Sequence, residues 1–568
     1  MTIHWPPFGE ASLFFRMSPS LSYKRDARCM SIRLGFTAAL VSVVGVLLVS
    51  IVWGAEPPAS PAPAGAQPNA AAPAEQHFDV TEYRVVGNTV LPNRDIERVL
   101  YPLLGPGKTL TDVEAARTAL EKLYHDRGFG TVFVDIPPQT VDDGLVRLRA
   151  TEGRVESTQI SGARYFAERD VITRLPATTP GTVLQISKLQ EQLNAVNSET
   201  PDRSVVPILK AGSEPGTVDL SLKVQDTLPL HGSLELNNQA TVDTRSLRSI
   251  ANLSYDDLFG ELDSISLQYQ ASPQQVDQVR VIALNYVEHA LPSGLQPSLS
   301  YINSNSNVPT AGTLGVLGIG EIWSAKLSYP VATGSASVQS VNIGIDYKHF
   351  RNTINQNATT ALNTPISYIN LSAGYTGLWR SDWQTTTFTA SANAGPRGLA
   401  NNPDAFAGDR YKGNANYFYF RADLATVFKL PADFSLKLRA AGQGATEALI
   451  TNEDYSITGA DGVRGYIEAE ELADKAVKGT VQLNSPQAHW NDRVLGDTFS
   501  FFDIGKATVI DPLPGEPTGA TLRSWGFGLD VLPGQKVTGG MTWAKMLDAA
   551  SVTRAGSSRV LFFLRGSF

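Results

Sequence analysis

The chain has 568 residues, which is enough for several domains, and its formal net charge of −8 argues against a nucleic-acid partner. Charged residues make up 18% of the chain and hydrophobic residues 42%, a charged fraction below the ~25% usual for soluble proteins. This composition does not suit a helical membrane protein, which needs long apolar spans. It suits β-strands that face lipid on one side and water on the other.

The N-terminus, residues 1–55, is predicted to be a signal-peptide region. An uncharged apolar run extends from Leu34 to Val52, the small residues Gly54 and Ala55 follow it, and four basic residues precede it: Lys24, Arg25, Arg28 and Arg33. Because the run approaches the ~20 residues that span a bilayer, an uncleaved membrane anchor is the competing interpretation. Residues 56–76 (EPPASPAPAGAQPNAAAPAEQ) are predicted to be an Ala/Pro-rich linker, since they contain too few large apolar side chains to build a core.

Residues 77–153 predict a small α+β module with the element order βααββ. A capping box, Thr111-Asp-Val-Glu114, is expected to open its second helix, and Gly128 is expected to end that helix. The other predicted elements are a strand at Phe78–Val86, a helix that begins near Pro92, and strands at Thr131–Ile136 and Leu145–Ala150.

Residues 154–226 predict a second module with the same element order. The predicted elements are a strand at Val155–Ile160, a helix at Phe166–Leu175, a helix opened by a capping box at Ser187-x-x-Gln190, and strands at Arg203–Leu209 and Thr217–Val224. Two copies of one unit indicate an internal repeat, although the copies are too few for a solenoid.

In residues 227–568 the helical periodicity stops, and apolar residues alternate with polar ones. Ile265, Leu267 and Tyr269, for example, alternate with serine and glutamine residues, so one face of the strand is apolar and the other is polar. Because no helix is available to cover the apolar faces, we expect a transmembrane antiparallel β-barrel of about 16 strands, an even number being typical of bacterial barrels. Leu430–Asp433 is expected to be a periplasmic turn, and the long polar connections are expected to be surface loops: Asn303–Glu321, Gly395–Asn414 and Ala445–Ala476.

The end of the chain supports the barrel. One face of the last strand carries Arg559 and Arg565, and the other face is apolar up to the aromatic terminal residue: Val560, Phe562, Leu564, Gly566 and Phe568. This ending resembles the C-terminal strand signature of outer-membrane proteins. The alternative is a buried edge strand of a soluble protein.

The two modules resemble POTRA domains. The order of signal, linker, two such modules and C-terminal barrel resembles the transporter of two-partner secretion systems, of the haemolysin secretion/activation type. Asp202–Val224 (DRSVVPILKAGSEPGTVDLSLKV) is similar to the end of the family's second POTRA domain, and Asn252–Asp263 (NLSYDDLFGELD) is similar to its early barrel hairpin. Family members often have an N-terminal helix that plugs the barrel, but the Ala/Pro-rich linker is a poor match for one.

The most specific match is a pair of motifs, Val463-Arg-Gly-Tyr466 and Phe502-Asp-Ile-Gly505. The resemblance implies that the first lies in a large loop folded back into the barrel, where Arg464 meets Asp503 on the inner wall. The residue types agree, because a guanidinium suits a carboxylate in a partly dry lumen and glycines allow a tight loop tip. An exposed arginine and an unrelated wall aspartate are the alternative. The candidate site residues are Gly462, Val463, Arg464, Gly465 and Tyr466 in the loop, and Phe502, Asp503 and Gly505 on the wall.

The sequence contains no recognisable phosphate-binding loop, serine triad or metal-ligand cluster, so we expect no catalysis, cofactor, metal or nucleotide. The expected function is that of an outer-membrane transporter, whose periplasmic modules capture an unfolded exoprotein by strand addition and whose barrel conducts it to the cell surface. The resemblance implies a large haemolysin- or adhesin-like partner. We also expect a monomer embedded in outer-membrane lipid. The alternatives are an assembly or insertion factor of the same superfamily, which usually carries more POTRA modules, and a passive porin.

Overall fold

The structure is a computed structural model that describes residues 76–568, except for residues 290, 292, 307, 312–313, 317, 358–359, 491–492 and 533–535. The predicted signal region and all but the last residue of the predicted linker lie outside the described residues, and so does any plug helix within them. Within the described part of the chain, no helix has the length and apolar character needed to cross a membrane.

The first α/β unit contains a mixed three-stranded sheet covered by two helices. Parallel pairing of β2 with β5 and antiparallel pairing of β4 with β5 form the sheet, and β1 pairs with β3 beside it. Its elements are β1 (Phe78–Val80), β2 (Glu82–Val86), α1 (Asn93–Leu100), β3 (Gly105–Lys108), α2 (Leu110–Asp126), β4 (Phe133–Asp135) and β5 (Leu145–Thr151). The single predicted strand at 78–86 is therefore two strands, and β3 was not predicted.

Helix α2 begins earlier than the predicted capping box. Thr109 is the residue that precedes the helix, and the carboxylate of Asp112 accepts hydrogen bonds from its backbone amide, at 2.8 Å, and from its hydroxyl, at 3.0 Å. The prediction of a box at Thr111 and Glu114 is wrong. Glu114 lies two residues beyond Asp112, inside the helix, where it pairs with Arg117 at 2.7 Å.

The second α/β unit repeats the arrangement of the first. Its sheet pairs β6 in parallel and β7 antiparallel with the central strand β8. The elements are β6 (Arg154–Ser161), α3 (Glu168–Thr173), α4 (Ile186–Glu199), β7 (Arg203–Ala211) and β8 (Thr217–Asp226). One glycine occupies the same position in both units: Gly87 follows β2 with φ of +90°, and Gly162 follows β6 with φ of +87°.

The start of α4 is set by the first unit rather than by the predicted capping box at Ser187 and Gln190, which is wrong. The backbone amide of Ile186 donates to the carbonyl oxygen of Gly128 at 2.8 Å, and the side-chain amide of Gln185 donates to the carbonyl oxygen of Arg127 at 3.0 Å. Because the end of α2 leaves carbonyl groups without helical partners, the two helix ends satisfy each other and join the units.

The rest of the chain is dominated by a closed antiparallel barrel. Its elements are β9 (Leu230–Asn237), β10 (Arg248–Leu258), β11 (Asp263–Ala271), β12 (Arg280–Val287), β13 (Gln296–Ser304), β14 (Val308–Ala311), β15 (Leu314–Val316), β16 (Gly320–Thr333), β17 (Ser337–Asn357), β18 (Thr360–Arg380), β19 (Gln384–Ala394), α5 (Pro403–Asp409), β20 (Phe418–Lys429), β21 (Ser435–Ala445), β22 (Tyr455–Ser456), β23 (Leu472–Ala473), β24 (Lys475–Asn484), β25 (Ala488–Trp490), β26 (Arg493–Thr508), β27 (Gly519–Val531), β28 (Val537–Met546) and β29 (Ser558–Ser567).

Sixteen barrel strands can be counted in the described residues, which confirms the predicted antiparallel barrel of about 16 strands. Strands β14 and β15 pair with each other, as do β22 and β23, and these four strands are not part of the barrel wall; β25 continues the pairing of β24 along β26. The last strand, β29, pairs with β9 and closes the ring. Every backbone group of a barrel can then bond to a neighbouring strand, which is what a hydrocarbon environment requires.

Apolar and polar side chains alternate along the barrel strands, which gives each strand a lipid face and a lumen face. On β17, for example, Ile343 and Ile345 are exposed on the outside, whereas Asp346 and Lys348 are buried on the inside. The turn at Leu430–Asp433 joins β20 to β21 as predicted. Helix α5, in contrast, was not predicted, and Phe406 of this helix packs against the lumen-facing ring of Tyr368, so this connection folds inward.

We expect Gly162→Ala to destabilise the second unit by about 1–3 kcal/mol, because the added Cβ would lie 2.4 Å from the carbonyl oxygen of Val224. Hydrogen–deuterium exchange measured by mass spectrometry should show faster exchange in β6 and β8 and unchanged exchange in the barrel. Gly181→Ala is the control, since Gly181 also has a positive φ, of +86°, but its added Cβ would meet nothing within 4 Å. Equal effects of the two substitutions would contradict the steric explanation.

Candidate functional site

The candidate site lies on a long loop that folds into the barrel lumen. We call residues 446–474, between β21 and β24, the inward loop. Its two arms pair with each other through β22 and β23, and its far end carries the predicted loop motif. Ile457, Val463 and Tyr466 are buried there against Leu522 and Met546 of the barrel wall. The segment predicted as a surface loop therefore starts at the extracellular end but occupies the interior.

Arg464 and Asp503 meet at the far end of the inward loop. Nε of Arg464 lies 2.8 Å from Oδ2 of Asp503, and Nη2 lies 2.9 Å from Oδ1, so the ion pair is bidentate. The backbone amide of Arg464 donates to the same carboxylate at 3.1 Å. Asp503 is fully buried, and the side chain of Arg464 is 13% exposed. A pair with this little solvent around it depends strongly on both partners.

Other lumen residues of the wall fix the guanidinium from the remaining sides. Nη1 of Arg464 donates to Oε1 of Gln482, on β24, at 2.8 Å. The guanidinium carbon lies 3.5 Å from the ring centroid of Phe501, on β26. Planar stacking and forked hydrogen bonding together require arginine rather than lysine at this position.

The glycines of the two motifs permit close contact between the loop and the wall. Gly465 has a φ of +97°, and an added Cβ would lie 2.4 Å from Sδ of Met546. Gly505 faces the loop, where an added Cβ would lie 2.8 Å from Cγ2 of Val463. Gly462 does not have a positive φ, so its role is close approach: an added Cβ would lie 2.4 Å from the carbonyl oxygen of Ile457.

Two aromatic residues of the motifs lie on opposite sides of the wall. The hydroxyl of Tyr466 donates to the carbonyl oxygen of Asp548 at 2.8 Å and to that of Arg523 at 3.2 Å. Phe502 is exposed on the outer face of β26. Phe502 is therefore a lipid-facing residue beside the site and not part of it.

A second anchor of the inward loop was missed at the sequence level. Glu453 is buried, and its carboxylate accepts hydrogen bonds from the ammonium of Lys348 at 2.5 Å, the hydroxyl of Tyr368 at 2.5 Å and the hydroxyl of Tyr419 at 2.7 Å. The three donors belong to β17, β18 and β20. The available signal was Lys348, a charged residue at a lumen-facing position of its strand, but nothing in the loop sequence pointed to Glu453 as its partner.

A third anchor lies near the far end of the loop. Asp461 forms an ion pair with Arg439 of β21, and Arg439 also binds Asp423 of β20, with Nη2 at 2.5 Å from Oδ2. Beyond it, the carboxylate of Glu470 accepts the backbone amides of Val552 and Thr553, at 2.8 and 2.6 Å, from the connection between β28 and β29. The inward loop thus touches the wall from β17 round to the connection before β29, and it crosses the lumen.

One group of potential metal ligands lies where the second α/β unit meets the barrel. Nε2 of His231 is 2.8 Å from Oδ2 of Asp202 and 3.6 Å from Oδ2 of Asp256. Of the residues that the structure describes, these three bring ligand atoms within 4.8 Å of one another. The contacts join Asp202, the residue before β7, to β9 and β10, so their evident effect is to hold the second unit against the barrel.

Two parts of the chain match known protein families. Residues 78–153 match the POTRA domain of ShlB type. Residues 216–530, more than half of the chain, match the family described as haemolysin secretion/activation protein ShlB/FhaC/HecB. The chain belongs to this family. It is an outer-membrane transporter of the two-partner secretion type that translocates an exoprotein, with its POTRA region in the periplasm.

Individual relatives agree with this assignment. The outer membrane transporter CdiB of Dickeya dadantii is 21% identical over 467 residues, which cover 80% of each chain. The haem/hemopexin transporter protein HuxB of Haemophilus influenzae is 20% identical over 411 residues, or 68% of this chain and 69% of that protein. These family members are transporters and not enzymes.

Solved structures show the same fold. CdiB from Escherichia coli matches with a TM-score of 0.55 at 17% identity, over 88% of this chain and 93% of that one. BamA from Haemophilus ducreyi, lacking POTRA domains 1–3, matches with a TM-score of 0.54 at 13% identity, over 86% of this chain and all of that one. At these identities the two likenesses concern the fold alone.

We expect Arg464→Ala to destabilise the barrel by about 3–5 kcal/mol, because it leaves the buried Asp503 without its cation. The measurement is the temperature at which the compact folded band is lost on a gel run without boiling. Arg523→Ala is the matched control: Arg523 also binds an aspartate, Asp548, with two hydrogen bonds of 2.9 and 3.0 Å, but its side chain is 49% exposed. We expect the control to have little effect, and equal losses would contradict the role of burial.

Proposed function

We propose that the inward loop is the gate of the transporter and that Arg464 and Asp503 hold it in the closed position. The observation that carries the proposal is the bidentate contact of Arg464 with a fully buried wall carboxylate, at the end of a loop that crosses the lumen. A chain cannot pass while the loop lies there. Transport then requires the loop to leave the wall, and the free energy for this comes from the passenger, since no nucleotide site is expected.

We propose that the second α/β unit is a POTRA module and that β7 is the strand on which it captures the passenger. β7 is an edge of its sheet, since β8 lies on only one side of it. Val206, Ile208 and Leu209 of this strand are exposed apolar residues. An exposed edge can add an extended chain through backbone hydrogen bonds, with little demand on the sequence of that chain.

The proposed passenger is a large secreted exoprotein of the haemolysin or adhesin kind, and we propose that the transporter acts as a monomer surrounded by outer-membrane lipid. The proposed domain limits are 77–153 and 154–226 for the two modules and 227–568 for the barrel, behind a signal region at 1–55 and a linker at 56–76. A passive porin is disfavoured because the inward loop occupies the lumen. An assembly factor is supported only by likeness of fold.

The gate is tested with Arg464→Ala and Asp503→Asn, the second of which keeps the shape of the side chain and removes its charge. We expect both variants to show larger and more frequent ionic currents across planar bilayers than the unchanged protein, and less of a co-expressed partner exoprotein in the medium. Folded protein in the outer membrane is quantified for each variant. Wild-type currents and wild-type secretion from folded Arg464→Ala protein would refute the gate.

Capture by β7 is tested with Ile208→Asp, which places a charge on the exposed apolar edge. We expect secretion of the partner exoprotein to fall several-fold while the amount of transporter in the outer membrane stays constant. The control is Ser204→Asp, which adds the same charge at an exposed polar position of the same strand and should leave secretion nearly unchanged. If both variants secrete normally, β7 is not the capture strand.

A further inference from the structure

Another buried ion pair lies at the extracellular mouth, outside the predicted motifs. Nη1 of Arg410 is 2.6 Å from Oδ1 of Asp474, and Nη2 is 2.8 Å from Oδ2. Arg410 follows α5 in the connection between β19 and β20, whereas Asp474 is the last residue of the inward loop. Asp474 is fully buried, and the side chain of Arg410 is 14% exposed. The two side chains are therefore as little exposed to solvent as those of Arg464 and Asp503.

The pair also binds the backbone of two further segments in a symmetric way. The amide of Leu449 donates to Oδ1 of Asp474 at 2.6 Å, and the carbonyl oxygen of Leu449 accepts a hydrogen bond from Nη1 of Arg410. The amide of Ile510 donates to Oδ2 of Asp474 at 2.7 Å, and the carbonyl oxygen of Ile510 accepts from Nη2 of Arg410 at 3.1 Å. Each backbone segment thus meets one donor and one acceptor of the ion pair.

We call Arg410, Leu449, Asp474 and Ile510 the mouth knot. Its members come from three connections at the extracellular end: the one that carries α5, the inward loop, and the one between β26 and β27. Leu449 and Asp474 lie near the two ends of the inward loop, so the mouth knot holds the neck of this loop while Arg464 holds its far end. The two sites also share a strand, because β26 carries Asp503 and leads directly to Ile510.

Burial makes the mouth knot an all-or-none contact. If the connection with Arg410 moved outward alone, Asp474 would be left as a buried carboxylate without its cation, and the backbone groups of Leu449 and Ile510 would lose partners as well. Breaking one side of a buried pair in this way is strongly unfavourable. The three connections therefore stay together or separate together.

We propose that the mouth knot is a second gate, which closes the extracellular mouth and has to open as a unit before an exoprotein can leave the barrel. This inference rests on the proposed transport through the lumen, but it concerns the mouth and the neck of the inward loop, whereas the Arg464 gate concerns the far end. Arg410 is here a positioning residue: it acts by holding the inward loop and its neighbours in place.

An exposed pair between two of the same connections supplies a matched control. Nζ of Lys412 is 3.0 Å from Oδ1 of Asp511, with the side chains 54% and 47% exposed. Exposed pairs of this kind are weak because water and salt screen them. Any effect of Arg410→Ala that merely reflects loss of a contact between these connections should also appear in Lys412→Ala.

The first experiment measures ionic currents of the purified full-length protein in planar bilayers. We expect Arg410→Ala and Asp474→Asn to raise the fraction of time spent open by about tenfold or more, as the loss of a buried pair allows, and Lys412→Ala to leave it unchanged. Each variant is first shown to retain the folded band on an unboiled gel. An open fraction in folded Arg410→Ala protein equal to that of the unchanged protein would overturn the proposal.

The second experiment does not depend on a variant that weakens the fold. Lys412→Cys and Asp511→Cys are combined in a chain whose only native cysteine, Cys29, is replaced by serine, and the two thiols are joined by a short bifunctional reagent. We expect the cross-link to stop export of the co-expressed exoprotein, and each single-cysteine variant treated with the same reagent to export normally. Normal export by cross-linked protein would refute the mouth gate.

The two proposals fail in different ways. If the unchanged protein exports no partner exoprotein, transport itself is in question, and the currents of Arg410→Ala still decide whether the mouth knot closes the pore. If the unchanged protein exports its partner and neither the cross-link nor Arg410→Ala has an effect, the mouth gate alone is wrong.

Discussion

A carboxylate buried inside a barrel has to be neutralised by donors from another part of the chain, and the interior of this protein depends on that constraint. Three buried acids govern it: Glu453 at the start of the inward loop, Asp474 at its end, and Asp503 on the wall. Each takes its cation from a distant segment, namely Lys348, Arg410 and Arg464. Because an unpaired charge in such a place is costly, the loops that bring the partners together are held inside the lumen.

The same constraint explains why the polar lumen of this barrel is closed rather than open. Alternating strands leave a polar lumen, which would fill with water in a porin. Here the inward loop crosses that lumen and is attached to the wall on both sides, through Glu453 and through Arg464. A lumen closed by a few strong and discrete contacts can have two states, closed or released, whereas a lumen closed by diffuse packing could not release a loop as readily. This distinction favours a gated transporter over an open channel.

The periplasmic part depends on backbone contacts rather than on buried charges, and one of these contacts is repeated in both α/β units. Gly87 and Gly162 occupy the same corner of the two α/β units, each beside the carbonyl group of a central strand. The units are joined by the carbonyl groups at the end of α2 and the donors at the start of α4. The second unit is in turn tied to the barrel through Asp202, His231 and Asp256. Direct contacts therefore connect the first unit to the second and the second unit to the barrel wall.

Much of this could be predicted from the sequence, because the determinants are periodic or local. Alternation with period two predicted the barrel and its lipid faces, and the spacing of apolar residues predicted the helices of both units. The two predicted capping boxes were wrong because capping depends on which of several similar residues meets a partner. Asp112 rather than Glu114 binds the residue that caps α2, Thr109. Helix α4 begins where Gly128 of the other unit accepts a hydrogen bond from its first amide. Those contacts lie outside any local pattern.

By itself, then, the sequence determined the fold class, the order of the units, and the pair of motifs that carries Arg464 and Asp503. Only the tertiary structure decided that Glu453 meets Lys348, that α5 folds inward, and that Arg410 and Asp474 join three connections at the mouth. The physical reason is that the spacing of residues along the chain predicts a strand or a helix. No local spacing marks the two members of a buried charge pair between loops, which meet only when the barrel wall closes.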